Sequence, residues 1–367
     1  MARILHLITG LDTGGAEQML VRLVARLDPD RHQSVVVSMT GPGALAPALE
    51  SAGIELFSLG MRRGWPDPRG LFRLAHILRR VRPEIVQTWL YHADLLGLLG
   101  QHAAQVSCRL FWNIRCTETT GSYVIRRLLA GLSRVPELII VNSRAGERFH
   151  RSLGYRPRRW THIPNGCDTT LFRFDAQGRR SLRAELGIGD DMVAIGLPAR
   201  YHPMKDHDNF LAAAARLAAI RPEAMFVLAG PGTDRRNLPL ADAIARRGLG
   251  ERIRLLGDRR DMVRLFSALD VATLSSAFGE GSPNVLVEAM SCGIPCVATD
   301  CGDAAELIGP NGWIVPPRDP EALAAAWNRL VELGQNGRQS LGMEARKRTA
   351  ELYDLQSIAA RYDAVYC

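Results

Sequence analysis

The sequence predicts an α/β protein folded as two doubly wound domains, each a parallel sheet with helices on both faces. Three observations lead there. Short apolar runs alternate with longer amphipathic stretches along most of the chain, which is the pattern of repeated strand–helix–strand units. The length of 367 residues exceeds one ordinary domain and suits two of about 150–200 residues each. The alternation also pauses once, in the polar, Arg- and Gly-containing stretch 168–191, and then restarts.

Taken in order, the first half offers strands at 4–8, 34–38, 54–57, 85–88, 110–114, 138–141 and 161–163. Helix-period stretches stand between them at 17–27, 71–81 and 93–103. The second half offers strands at 193–197, 225–229, 253–256, 271–274, 296–298 and 313–315. The expected division is therefore 1–170, 171–350 and a final segment 351–367, whose helix near 357–366 crosses back onto the first domain. Ligands of such sheets bind at the carboxyl ends of the strands, so the two domains are expected to face one central cleft.

Composition narrows the partners. Hydrophobic residues at 47 % and charged residues at 23 % are ordinary for a globular chain with a full core. No apolar run approaches the roughly 20 residues that cross a bilayer, and the opening MARILHLITG reads as a buried strand rather than an export signal. A cytoplasmic place is expected. Seven cysteines, three of them at 292, 296 and 301, lack a CxxC pair and read as reduced structural thiols. The net charge of +8, carried mostly by Arg, favours anionic partners. Nucleic acid is not expected, because no fold signature or basic–aromatic interleaving accompanies the charge. Arg62–Arg63 with Trp65, and Arg126–Arg127 with Leu128–Leu129, are basic–apolar groupings suited to an anionic membrane surface on the inner face.

The chemistry concentrates in loops that follow strands. The densest is 278–290, where Gly279, Gly281 and Pro283 lead into a helix starting near Asn284. Glycines there let backbone approach a ligand, and the fresh helix start points N–H groups at an anion. Glu280 and Glu288 both reach that region and suit a ligand rich in hydroxyls; the plainer reading of Glu280 is complementation of the helix dipole. A second loop carries Arg200 and Lys205, two cations able to straddle a diphosphate. Asp206 and Asp208 spell a metal-binding DxD string, but they open a helix, where Asp is a favoured cap, so no metal is expected from them. In the first half, Gly14 and Gly15 follow the opening strand in a loop that is not GxGxxG, which weakens a dinucleotide reading. Further strand-end loops carry His92 and, in 112–117, Arg115 and Cys116.

The segment from Glu280 to Glu288 closely resembles the Glu-x7-Glu motif of the retaining, metal-independent glycosyltransferases of family 4, which have the GT-B fold of two Rossmann-like domains. Val-Asn-Ser at 141–143, Ile-Pro-Asn-Gly-Cys-Asp at 163–168, Leu-Leu-Gly-Asp at 255–258, Gly-Ile-Pro-Cys-Val-Ala-Thr-Asp at 293–300 and Gly-Trp-Ile-Val-Pro-Pro-Arg-Asp at 312–319 fall in family order and spacing. The resemblance implies a nucleotide diphosphate sugar as donor, UDP favoured over GDP-mannose, with no cofactor. It implies a saccharide or lipid-linked saccharide as acceptor, in surface glycan biosynthesis. Arg200 and Lys205 would grip the diphosphate, helped by Gly281 and the helix start at Asn284, Val285 and Leu286. Glu288 would hold ribose and Glu280 the sugar, while the backbone at Gly257 and Arg259 would border the base. Gly14 and Gly15 would lie near phosphates and acceptor. Many members carry a catalytic-side His where Cys116 stands here, so that role shifts to His92 and Arg115. The competing reading from another class is a non-catalytic subunit that only binds nucleotide sugar.

Overall fold

The computed structural model describes all residues except 13, 63–66, 116 and 118–122. The chain divides into two compact units, Met1–Gly166 with Leu355–Cys367, and Cys167–Asp354. The first holds β1 (Ala2–Ile8), β2 (His32–Ser38), β3 (Glu55–Ser58), β4 (Ile85–Trp89), β5 (Arg109–Ile114), β6 (Leu138–Val141) and β7 (Trp160–His162). They form one parallel sheet in the order β3-β2-β1-β4-β5-β6-β7. The second holds β8 (Val193–Pro198), β9 (Ala224–Ala229), β10 (Ile253–Leu255), β11 (Val271–Leu274), β12 (Cys296–Thr299) and β13 (Gly312–Val315). Their parallel order is β10-β9-β8-β11-β12-β13.

Each sheet has an apolar core on either face, which is why its central strands are continuous apolar runs rather than alternating ones. In the first unit Leu5, Leu7, Val86 and Trp112 pack on one side and Ile4, Ile8, Trp89 and Phe111 on the other. In the second, Ala194, Ala272 and Leu274 face one core and Ile195, Phe226 and Val271 the other.

The pause at 168–191 belongs to the second unit. Its helix Ala176–Leu186 is capped by Asp175, whose carboxylate accepts from the Gly178 N–H at 2.8 Å. Arg179 and Arg183 bond Asp270 at 2.7 and 2.9 Å, so this polar stretch is bound into the domain and is not a linker. The final helix, Leu355–Tyr366, lies in the first unit and buries Leu355, Ile358, Tyr362 and Tyr366 against the β1–β4–β5 face. Its outer end is held by an ionic knot: Asp363 pairs with both Arg31 and His32, and Arg31 also donates to Cys367. Burial pushes the Cys292 thiol up to about 12 and Cys296 higher, so both stay protonated at neutral pH. No helix among the described residues is long and apolar enough to cross a membrane.

Candidate active site

Gly14, Gly15 and His92 in the first unit, and Arg200, Lys205 and the 280–288 segment in the second, follow strands at which their sheet reverses winding direction; Arg115 follows β5, and Gly257 and Arg259 follow the edge strand β10. The order turns between β1 and β4 in the first unit and between β8 and β11 in the second. Loops leaving such neighbours diverge and open a crevice at the carboxyl ends of the strands.

In the second unit the loop after β8 carries Arg200, a one-turn 3-10 helix at Pro203–Lys205, and then the helix His207–Ala218. Arg200 is exposed, with no ion-pair partner among the described residues. The Lys205 ammonium lies 2.5 Å from Glu280 Oε1, and the Ser276 hydroxyl donates to that same oxygen at 2.5 Å. The two loops are sewn together by backbone as well. Ser275 Oγ donates to the Lys205 carbonyl at 2.7 Å, and the Ala277 N–H donates to the Met204 carbonyl at 2.8 Å. Glu280 is thus a buried carboxylate fixed by one cation and one hydroxyl, the kind of charge-assisted contact that holds a side chain in one geometry.

Past Glu280, Gly281 accepts from the Asp303 N–H at 2.8 Å, and the helix Asn284–Ser291 begins after Pro283. Asn284 and Val285 are half-buried, whereas Leu286 is sunk in the core and its N–H already donates to the Pro283 carbonyl at 3.2 Å. The first-turn N–H groups of a helix have no intrahelical acceptor and favour an anion. Glu288 sits one turn further on, at the rim of the core. Gly302, at φ +67°, passes so close that a Cβ there would meet the Gly281 and Glu280 carbonyl oxygens at 2.5 and 2.6 Å. Only glycine allows the β12 loop to brace the Glu280 loop in this way.

Gly257, at φ +62°, accepts from the Gly230 N–H at 2.7 Å, and its own N–H donates to the Thr233 carbonyl. The loops after β8, β9 and β10 are therefore one bonded platform. The Arg259 side chain is engaged by Asp261 at 2.5 Å and Glu185 at 3.5 Å, which leaves backbone as what that segment presents. Asp206 caps its helix by accepting from the Asn209 N–H, and Asp208 pairs with Arg247 at 2.6 Å; the DxD string is occupied by local structure.

The first unit is different. Gly14 is the N-cap of the helix Gly15–Val24 and has ordinary extended φ and ψ; a Cβ there would meet the Glu17 carboxylate first. His92 is exposed on the first turn of the helix Tyr91–Ala104. Arg115 departs from the expected open position. Its guanidinium is buried, bonds Asn113, Asn165 and the Tyr362 hydroxyl, and lies 5.0 Å over the Trp89 ring. The final helix covers it, so Arg115 is a structural tie rather than a group presented to substrate. Cys116 lies outside the described residues, as do Thr13 of the first loop and Arg63 and Trp65 of one basic–apolar grouping.

Several site residues carry no sequence signal strong enough to select them. Ser276 and Gly302 matter only through contacts to Glu280. Gly230 precedes Pro-Gly-Thr directly after a strand, a cue that could have drawn attention to it. Leu90 has φ +76° at the exit of β4, a strained position for a branched side chain and one that tends to mark functional turns. Asp94 is wholly buried beside the Thr88 hydroxyl at 2.5 Å, and burial raises its carboxyl pKa well above the usual range.

Two doubly wound units, each with its chemistry at a switch point, and a cation–carboxylate pair beside a helix start define an α/β enzyme of the GT-B class. The profile described as Glycosyltransferase Family 4 matches residues 13–171, and that of Glycosyl transferases group 1 matches 192–333. The chain belongs to glycosyltransferase family 4 and is a glycosyltransferase. It is 25 % identical over 340 residues to the GDP-mannose-dependent monoacylated alpha-(1-6)-phosphatidylinositol monomannoside mannosyltransferase of Corynebacterium glutamicum, covering 87 % of this chain and 85 % of that one. It is 24 % identical over 308 residues to the UDP-Gal:alpha-D-GlcNAc-diphosphoundecaprenol alpha-1,3-galactosyltransferase of Escherichia coli, covering 79 % of each. Its fold matches the structure of Anabaena Alr3699/HepE in complex with UDP at a TM-score of 0.86, with 25 % identity and 99 % of both chains covered.

Proposed function

We propose that the chain moves a hexose or N-acetylhexosamine from a UDP-sugar to a saccharide or lipid-linked saccharide in glycan biosynthesis, with retention and without a divalent metal. The observation that carries this is the meeting of Lys205, Ser276 and Glu280, Lys205 sharing its loop with the exposed Arg200 and Glu280 leading into the helix Asn284–Ser291. Departure of the nucleotide diphosphate builds negative charge on phosphate while the sugar becomes oxocarbenium-like. Arg200, Lys205 and the helix start at Asn284 and Val285 stabilise that charge with fixed donors, which need no reorganisation at the moment of transfer. Glu280 holds the sugar hydroxyls and sets the anomeric carbon, Glu288 holds ribose, and the backbone at Gly257 borders the base. The engagement of Asp206 and Asp208 by a cap and by Arg247 supports a metal-free diphosphate grip. Gly14, Gly15 and His92 face the acceptor side.

The choice of UDP follows the Escherichia coli relative and the Anabaena complex; the Corynebacterium relative is named for GDP-mannose. A lipid-linked acceptor follows both relatives, whose names carry lipid-borne acceptors. Calorimetry with UDP and with intact UDP-sugar tests the division of roles. Glu288→Ala should weaken both ligands by roughly tenfold to a hundredfold, the cost of about 1.5–3 kcal/mol for a charge-assisted bond. Glu280→Ala should spare UDP and lower turnover measured in EDTA. Equal weakening of UDP by both variants would sink the assignment, and tighter binding of GDP than UDP would replace the base.

A further inference from the structure

The helix Tyr123–Leu132 has two apolar faces, and only one is used by the fold. Leu129 is fully buried, and Ile125 and Leu132 pack beside it against the first unit's core. On the other side Tyr123 is 61 %, Val124 72 % and Leu128 47 % exposed, and Val135 just beyond the helix is 47 % exposed. Spacing from 124 to 128 to 135 keeps these on one stripe. Arg127 stands on the same side, its guanidinium 5.9 Å from the Tyr123 ring centroid.

That stripe runs directly into a cluster of arginines. Ser133 follows the helix, and its hydroxyl accepts from the Arg156 N–H at 2.8 Å, which ties the helix end to the segment leading into β7. There a cavity of about 470 Å³ is lined by Arg134, Arg151, Arg156, Pro157, Arg158 and Trp160. Arg151 lies 5.3 Å over the Trp160 ring and pairs with Glu147. Arg134, Arg156 and Arg158 have no ion-pair partner among the described residues. Glu137 is bonded to Arg109 and interacts with Arg158 only at a distance. The Trp160 indole N–H is buried without an acceptor among the described residues. Arg134, Arg156, Arg158 and Trp160 lie at the amino ends of β6 and β7, whereas the candidate loops of this unit leave the carboxyl ends of β1, β4 and β5; Tyr123 and Val124 stand at the opposite end of the helix. The arginine cluster is therefore separate from the candidate site.

We infer that this surface docks the protein on an anionic phospholipid bilayer. The apolar stripe enters the headgroup–acyl boundary, and the arginines bind lipid phosphates, as an interfacial helix with a basic flank does. A water-facing role explains the charges but not the adjoining uncovered Tyr, Val and Leu side chains; a purely apolar protein partner explains the stripe but not the unpaired arginines. The inference needs neither the donor nor the acceptor proposed above, so binding measured without substrate separates its failure from theirs.

The test is flotation of the full chain with phosphatidylglycerol–phosphatidylcholine vesicles and with phosphatidylcholine alone. Binding should require the anionic lipid and fall with salt. A basic residue near an anionic surface contributes roughly fivefold in affinity, so Arg134→Glu with Arg158→Glu should weaken binding by about tenfold or more. Val124→Ser with Leu128→Ser should weaken it independently, at unchanged melting temperature. The same charge reversal at Arg173 and Arg180, exposed in the second unit, should matter far less. Equal binding to neutral and anionic vesicles, equal loss in the control, or retention on a heparin resin without vesicle binding would each overturn the inference.

Discussion

At the switch point of the second unit, Lys205, Ser276 and Glu280 meet within hydrogen-bond distance, and backbone bonds join the loops after β8, β9, β10, β11 and β12. At that of the first unit His92 stands exposed, and Arg115 has turned inward beneath a helix from the far end of the chain. One unit presents a fixed, charge-complementary platform; of the other's candidates among the described residues, His92 is exposed and Arg115 is tied inward. The difference fits the ligands proposed for them. A diphosphate has the same charge and geometry whichever sugar it carries, so a rigid grip can be built once. Acceptors vary in shape, and a surface meeting them gains nothing from permanent ion pairs.

The largest effect tests whether the platform is one device. Lys205→Met and Glu280→Gln should each lower kcat/KM by about a hundredfold, because each removes one of two groups that hold the other in the geometry the donor meets. The double variant should lose little more than either single one. Multiplying losses would dissolve the pair into two independent groups.

A smaller effect tests the support of Glu280. Ser276→Ala removes one hydroxyl bond of about 1 kcal/mol and should lower kcat roughly fivefold without changing UDP affinity, with Ser276→Thr recovering most of it. A loss as large as that of Glu280→Ala would mean that Ser276 itself touches the reacting sugar.

Much of the second unit was legible because its information is local. Glu280, Gly281, Asn284 and Glu288 share one strand–loop–helix passage, and Arg200 and Lys205 another, so a local pattern singles them out and the family resemblance supplies the roles proposed for them. What spacing does not carry is which loop meets which: the Lys205–Glu280 contact spans 75 positions, and Gly302 acts only through two carbonyls of another loop. Both sheets followed from apolar runs within a residue or two. The first-unit site was less legible for the same reason in reverse. Arg115 follows a strand and looks available, but Tyr362, 247 positions later, covers it. No local pattern marks Leu90 as strained or Asp94 as buried.

The smallest effect concerns stability, and it divides the polar groups of the first unit into two opposed sets. Burial lowers His6 to about 3 and His150 to about 4, and His207 of the second unit also to about 4. His150 Nδ1 lies 2.7 Å from the Gly146 carbonyl and Nε2 lies 2.6 Å from the Tyr91 hydroxyl, an arrangement filled by a neutral ring that donates at Nδ1 and accepts at Nε2. The unfolded chain takes up protons on these rings below about pH 6.5, and the folded chain resists until near pH 4. Stability conferred by the neutral rings is therefore present above pH 6.5 and lost as pH falls through that window. Asp94 runs the other way: its raised carboxyl pKa gives stability that is lost as pH rises above the ordinary carboxylate range. The melting temperature should thus fall by several degrees (about 2–4 °C per kcal/mol for units of this size) between pH 6.5 and 4.5. Asp94→Asn, which keeps the shape and needs no proton, should raise it at pH 8 and steepen the fall between pH 6.5 and 4.5, because it removes the contribution that opposes the rings there. A flat acid limb would mean that the buried rings are solvated in solution, and destabilisation by Asp94→Asn at pH 8 would mean that the carboxylate is ionised and held by a cation.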